Sequence, residues 1–349
     1  MRLHKRNETD QEVRIGLVGC GRIAQAAHLP ALAKADGVRL AGVYDPSAHL
    51  SGEIGRRYGV PVHPALDDLL AADIDAVLIA VPDRAHFEIS GAALAAGRHV
   101  LVEKPAAATA DEAHRLRELV VRSGRKFQVA SMKRHDPGLQ YAAEAVADGR
   151  IGDVYTVSAW YRVMSALRPP TEDALFPAMA IDPEVRQREA EFKRTRRTEH
   201  LLRTHAVHTF DLLRYLVGDI EVTSAELAVA GEDHSWHGLG RLRSGAGVAA
   251  FEVTASVHGR WTEGFDIYGD RGHLRIAVPF PFTRDVSAVT LFDEPAGTST
   301  RPEFGYRDPY RRQLEAFADA IRDDTDPQPG IDDGVAALEL VEAVHKAAA

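Results

Sequence analysis

Sulfur and indole are scarce in this chain, which has one cysteine, four methionines and three tryptophans in 349 residues. One thiol permits no internal disulfide, and Cys20 lies inside a glycine turn, where it reads as a small buried residue rather than a reactive thiol. Cations are also in deficit: 42 Lys and Arg against 51 Asp and Glu leave a formal charge of −9. Phosphate binding needs a surplus of Lys and Arg, so nucleic acid and anionic membranes are excluded as main partners. No uninterrupted apolar run reaches the length of a bilayer span. Residues 1–12, expected to be a flexible lead-in, are polar without the apolar centre of a signal peptide. These absences point to a cytoplasmic protein. The remainder, 45% hydrophobic and 27% charged, is an ordinary globular composition with chain enough for two cores.

Val13, Ile15, Leu17 and Val18 form a short apolar run that ends in Gly19-x-Gly21-x-x-Ala24, with a helical segment from Arg22. In such a strand, turn and helix start, Gly19 takes the turn's backbone angles, Gly21 leaves room for a pyrophosphate, and Ala24 packs closely on the strand. Free N–H groups at the helix start, around Arg22 and Ile23, would meet a dinucleotide's phosphates. The triplet alone also fits an ordinary βα turn. The expected context is a second strand ending in an acid about 20 residues on, which Val38 to Asp45 supplies. Asp45 is suited to accept hydrogen bonds from an adenosine ribose and to repel a 2′-phosphate, and neither Pro46 nor Ser47 brings a compensating cation. NAD is therefore expected, with NADP as the alternative. The bland reading of Asp45 is a turn-forming Asp-Pro pair.

Strands and helices continue to alternate. Helices are expected over 26–35, 50–58, 65–72 and 87–96, and Ile74 to Val81 is the nearly continuous apolar run of a strand buried on both faces. Ligands lie beyond the carboxyl ends of such strands, so Val81, Pro82, Asp83 and His86 should touch the cofactor. The next strand, Val100 to Val102, ends in Glu103-Lys104-Pro105. A lysine there is either simply solvated or, if desolvated in the cleft, lowered in pKa towards the range useful for proton transfer.

The Gly19-x-Gly21-x-x-Ala24 turn, Asp45, Val81-Pro82-Asp83-x-x-His86 and above all Glu103-Lys104-Pro105 resemble the Gfo/Idh/MocA family, the glucose-fructose oxidoreductase and inositol dehydrogenase group. Lys133-Arg134-His135-Asp136-Pro137 resembles that family's domain crossing, and Ile151-Gly152-Asp153-Val154 the start of its second domain. The resemblance implies an α/β chain with a Rossmann dinucleotide-binding domain over 13–131. A C-terminal α+β domain over 132–349 would bind substrate on a large, mainly antiparallel sheet. The open face of that sheet implies a homodimer or homotetramer. Alternation over 154–163 and strand-like stretches at 225–229, 238–243, 247–257, 264–269 and 272–278 accord with this, and 310–323 and 332–348 have helical periodicity.

Leu212, Leu213, Leu216 and Val217 mark an amphipathic helix with positions 204, 208 and 211 on one side. The family usually has Asp-x-Gly-x-His-x-x-Asp here. This chain keeps His208 and Asp211 but has Thr204 and Ala206, so the carboxylate expected beside the reacting hydroxyl is missing. By resemblance His208 is the proton acceptor, Lys104 polarises the substrate oxygen or relays the proton, and Glu103 holds Lys104. Arg134, Thr204, His205, His208 and Lys104 would line the substrate site. A metal held by His200, His205 and His208 is disfavoured, since position 200 falls on another face and no cysteine contributes; Asp211 reads as structural. Residues 164–200, with Pro169-Pro170, Pro177, Pro183 and an Arg-rich run from 186 to 197, form a long connection. It is a solvated helix, a substrate lid or an oligomer arm.

The expected function is NAD(P)-dependent hydride transfer between a nicotinamide and a secondary alcohol or ketone of a sugar, cyclitol or related polyol. A non-catalytic sugar- and dinucleotide-binding regulator of the same fold is the alternative, supported by Thr204. A cofactor-recycling isomerase or hydrolase is a third class.

Overall fold

The computed structural model describes residues 12–164, 179–257 and 260–349. The lead-in before Glu12 and the prolines at 169, 170 and 177 lie outside the described residues. Five parallel strands, β1 (Val13–Val18), β2 (Val38–Tyr44), β3 (Ala76–Ile79), β4 (His99–Val102) and β5 (Phe127–Val129), form one sheet in the order 2-1-3-4-5. Ile15, Leu17, Leu78 and Leu101 are wholly buried, as expected of strands covered on both faces. The strand order reverses between β1 and β3, and there a crevice opens at the carboxyl ends.

The first helix starts at Arg22, directly after the glycine turn, where the sequence places a helical segment. It passes through a π-turn, Ala24–His28, into α1 (Leu29–Leu32). Helices α2 (Ala48–Tyr58), α3 (Leu66–Ala71) and α4 (His86–Ala95) lie close to their expected positions. Two more, α5 (Ala110–Ser123) and α6 (Pro137–Ala147), are started by Thr109 and Asp136, whose side chains accept from backbone N–H groups of the first turn.

The second sheet has eight strands in the order 13-12-11-10-6-9-8-7 and is antiparallel except where β6 (Val154–Met164) runs parallel to β9 (Val248–Val257). The others are β7 (Ile220–Ala230), β8 (Asp233–Leu242), β10 (Thr262–Gly269), β11 (Gly272–Val278), β12 (Ala288–Asp293) and β13 (Thr298–Thr300). Alternation puts Val157, Ala159, Tyr161, Phe251, Val253, Phe265 and Ile267 on the inner face. There they bury Leu202, Ala206, Phe210 and Leu213 of a 21-residue helix. The connection before that helix, residues 165–196, is helical over much of its described part, so the chain carries α7 (Pro183–Thr195) and α8 (Arg197–Val217) in succession.

A division at 131/132 separates the two sheets but not the two cores. The late helices α9 (Pro309–Arg322) and α10 (Ile331–Ala347) return to the first sheet, where Tyr310, Leu314 and Phe317 of α9 pack among Leu17, Leu29 and Leu101. Helix α10 serves both cores. Ile331, Val335 and Leu338 face the first, and Ala337, Leu340, Val341 and Val344 the second.

The chain crosses between sheets through a 3-10 turn, Met132–His135, whose polar side chains are buried with that of Asp136. Lys133 Nζ donates to both Glu263 oxygens at 2.7 and 2.6 Å. Arg134 pairs with Asp211 of α8 at 2.8 Å and Asp333 of α10 at 3.0 Å. His135 meets Gln128 of β5 at 3.2 Å. Asp136 accepts from Gly138 N at 2.7 Å while also accepting from Ser287 N and Oγ at 2.9 and 2.8 Å. A buried ion left without its partner typically costs about 3–5 kcal/mol. Arg134→Met is therefore expected to lower the unfolding free energy by about that amount, and adding Asp211→Leu to recover part of the loss. Urea denaturation of the single and double variants checks this; simply additive losses would contradict the pairing.

Candidate active site

The glycine turn has the geometry its residues require. Gly19 has a φ of +96°, and a Cβ there would sit 2.6 Å from Ala80 O, so β1 and β3 meet too closely for any side chain. At Gly21 an added Cβ would meet nothing within 4 Å, which leaves the backbone open to a ligand from the crevice side. Asp45 closes the turn from β2. Its Oδ2 accepts from Cys20 N at 2.7 Å and its Oδ1 from Ser47 N at 2.8 Å, and each oxygen keeps acceptor capacity for ribose hydroxyls. Burial raises the Asp45 carboxyl above the usual range despite those two N–H bonds, and the charge of Asp182 adds to the rise. Burial also pushes the Cys20 thiol up to about 12, so it is no nucleophile. Arg22 is exposed at the helix start, and Ile23 packs partly into the first core. This bare-backbone turn, with an acceptor beside it, fits a dinucleotide.

Val81, Pro82 and Asp83 follow β3 at the crevice, and Asp83 Oδ2 lies 3.6 Å from Arg203 of α8. His86 does not line the crevice. It is 1% exposed, with Nδ1 2.6 Å from Pro105 O and Nε2 2.9 Å from Val81 O; burial favours the neutral ring, whose single N–H donates to one of these carbonyls, and the imidazole sits enclosed between the β3 and β4 loops. That corrects the expectation of a cofactor contact. Glu103 holds Lys104 by its backbone: one oxygen accepts from Lys104 N at 3.1 Å, and the other lies 2.6 Å from His28 Nε2. The Lys104 ammonium itself has no hydrogen bond or ion pair among the described residues. Burial and then nearby Lys133 pull it below the ordinary lysine range, against the opposing charge of Glu103.

Helix α8 brings His205 and His208 to the same crevice, where both rings pack on buried Tyr161 of β6 with centroids 5.7 Å away. Burial first, then the positive charges of Lys104 and Lys133, hold His208 well below the usual imidazole range. The same causes, with His200 added, bring His205 down to about 3. Both are neutral acceptors at pH 7. Thr204 Oγ1 is 3.3 Å from His200 Nδ1, so it contacts its own helix. Arg134, expected at the substrate, is 8% exposed and committed to Asp211 and Asp333, because one buried and one half-buried carboxylate occupy its donors. Asp211 is structural, as its residue type and helix position suggest.

Sequence reasoning missed several site residues. Lys133 sits 4.9 Å over the Tyr161 ring and 5.6 Å over Trp261, paired to Glu263. Trp261 meets Tyr161 edge-on at 4.9 Å and Phe280 at 5.4 Å, which makes an aromatic wall. Lys133 was visible as Arg134's neighbour in the crossing motif, but only a three-dimensional turn decides which of the two faces the crevice.

The connection before α8 lies along the crevice. Gln25, in the π-turn, donates to Ala180 O at 3.0 Å and accepts from Ala180 N at 2.8 Å. Asp182 accepts from Ser47 Oγ at 2.5 Å. Arg84, after β3, pairs with Glu189 and lies 4.7 Å over the Phe192 ring. These contacts run from the end of β1 past β2 to β3, so residues 179–195 strap the edge where a dinucleotide would lie.

Residues 13–131 match the model of an oxidoreductase family with an NAD-binding Rossmann fold, and residues 139–275 match the Gfo/Idh/MocA C-terminal domain. The chain is 26% identical over 348 residues to inositol 2-dehydrogenase of Rhizobium meliloti, covering 97% of each chain. It is 29% identical over 354 residues to inositol 2-dehydrogenase 1 of Saccharopolyspora erythraea, covering 96% of this chain and 94% of the other. Among solved structures, a 3-ketoreductase of Actinomadura kijaniata in complex with NADP and TDP-benzene superposes with a TM-score of 0.74 at 22% identity, covering 97% and 98% of the two chains. With both domain models matched in order along one chain, and with the glycine turn, Asp45 and Lys104 around one crevice, the protein belongs to the Gfo/Idh/MocA family of NAD(P)-dependent oxidoreductases.

Proposed function

We propose that the protein interconverts a secondary alcohol and a ketone on a cyclitol, sugar or related polyol, with NAD as its preferred cofactor. The observation that carries this reading is the convergence of Lys104, whose ammonium has no hydrogen bond or ion pair among the described residues, with His205 and His208 on one aromatic wall, beyond the carboxyl ends of β3 and β4. When bound, the dinucleotide supplies the hydride acceptor. The chain's own residues then manage the proton. In oxidation an imidazole nitrogen of His208 takes the hydroxyl proton, and Lys104 Nζ donates a hydrogen bond to the oxygen as negative charge develops there. His205, three residues before His208 and about 60° around the axis of α8, is suited to a neighbouring hydroxyl. The nearby carboxylates are engaged elsewhere, Glu263 by Lys133 and Glu103 by His28, which suits a neutral polyhydroxylic ligand better than a cation. The names of the two curated relatives support an inositol-like substrate. Asp45 supports NAD, and the outer face of the second sheet, with Trp160, Tyr268 and His273, is the proposed homo-oligomer contact.

Turnover should appear as absorbance of the reduced nicotinamide when the protein is assayed with NAD and a panel of cyclitols and sugars. Tight dinucleotide binding with no turnover on any of them would favour a regulator. Because His208 is held below the usual imidazole range, its base form is lost only in acid. Oxidation should therefore fall as pH drops through a value under about 6.5, and His208→Asn should abolish that limb. An unchanged profile in His208→Asn would move the proton acceptor to another group. Lys104→Ala should reduce kcat by roughly a hundredfold or more with little change in NAD affinity. Near-normal turnover in a folded variant would remove Lys104 from the mechanism. Asp45→Ala should weaken NAD binding and leave NADP binding unchanged or stronger, as read by equilibrium titration; equal losses would contradict the role of Asp45.

A further inference from the structure

Ser47 stands two residues beyond the acid of β2, where a nucleotide 2′-phosphate would seek a hydroxyl donor. A serine hydroxyl has one proton to give, and here it goes to Asp182 Oδ2 at 2.5 Å. The Ser47 backbone N–H is also spent, on Asp45 Oδ1 at 2.8 Å. Both donors of Ser47 are thus consumed, and two carboxylates flank it, one from just after β2 and one from the strap 135 residues on. Asp182 is held where it is. Its Oδ1 accepts from Glu184 N at 3.0 Å and Val185 N at 3.1 Å as the N-cap of α7, and the two-way bond between Gln25 and Ala180 anchors the strap two residues earlier. The Ser47 hydroxyl, then the Val185 N–H, hold the Asp182 carboxyl below the usual range, so it is ionised at pH 7.

We propose that Asp182, carried by the strap to the adenosine end of the dinucleotide site, is a second cofactor-selecting carboxylate that rejects a 2′-phosphate. The inference rests on the NAD reading above and adds a residue that lies outside the dinucleotide-binding domain. A 2′-phosphate carries close to two negative charges, and at this partly solvated site an extra carboxylate is expected to weaken its binding by about tenfold. Discrimination built from repulsion costs nothing toward the cofactor without the phosphate.

The test is the dissociation constants of NAD and NADP for the wild type, Asp182→Asn and Asp182→Ser, from quenching of intrinsic fluorescence at one fixed ionic strength. Asn and Ser both cap helices, and the single side-chain oxygen of each can keep the N-cap bonds to Glu184 N and Val185 N while the Asn NH2 donates to Ser47 Oγ, so the substitutions remove charge and keep α7 capped. The expected result is that the ratio of the NADP constant to the NAD constant falls about tenfold in both variants. An unchanged ratio, or both constants moving by the same factor, overturns the proposal and leaves Asp182 as a helix cap. A wild-type ratio at or below one refutes the NAD preference instead. The contribution of Asp182 is then upheld or overturned by the same change in ratio on substitution.

Discussion

Lys133, Arg134, His135 and Asp136 follow one another in the chain, are all buried, and are each committed to a different element. A buried charge is stable only beside its partner, so the pairings of Lys133, Arg134 and Asp136 each remove a degree of freedom between the sheets, while neutral His135 ties the turn back to the first sheet. Lys133 fixes the turn against β10, Arg134 against α8 and α10, His135 against β5, and Asp136 against the segment before β12. Apolar contacts alone would tolerate sliding of one sheet over the other, because they have no preferred direction. The ion pairs do not. They set the height of α8 relative to β4, and with it the approach of His208 to Lys104.

The same turn sets the electrostatics of the crevice. Lys133 is neutralised by Glu263, yet its ammonium lies over Tyr161, whose ring is the shelf for both histidines. Two lysines therefore face two imidazoles with no carboxylate bonded to either ring among the described residues. The missing acid at position 204 is matched by strong burial, and both effects keep the imidazoles unprotonated. A carboxylate partner would raise the basicity of His208; the arrangement found here gives a weaker base that is available over a wider pH range.

The glycine turn, Asp45 and Lys104 were legible in sequence because each is fixed by the backbone of a strand end, and strand ends follow from local pattern. The β6, β9, β10 and β11 strands were legible in the same way. Strands β12 and β13 were not, since β12 is flanked by Pro, Arg and Asp and β13 is three exposed polar residues. His86 and Arg134 were misread because a polar residue in a motif gives no sign of whether it points into a crevice or into the protein, and both proved to be spent on buried partners. Asp182 and Glu263 carry no local signal at all. Their roles depend on contacts to Ser47 and Lys133 more than a hundred residues away, which no periodicity encodes.

Helix α10 seals both cores with opposite sides of one cylinder. A ribosome delivers the five strands of the first sheet long before it delivers residues 331–344. Until then Val129 and Leu116 have no Ile331 or Val335 to cover them, and the inner face of the second sheet waits for Leu340 and Val344. The core of the nucleotide-binding half is therefore complete only once residues 331–338 are available, unlike the usual order in which an N-terminal domain matures first. The nascent chain must carry two open apolar surfaces at once, a burden on chaperones that a pair of independently sealed domains would not impose.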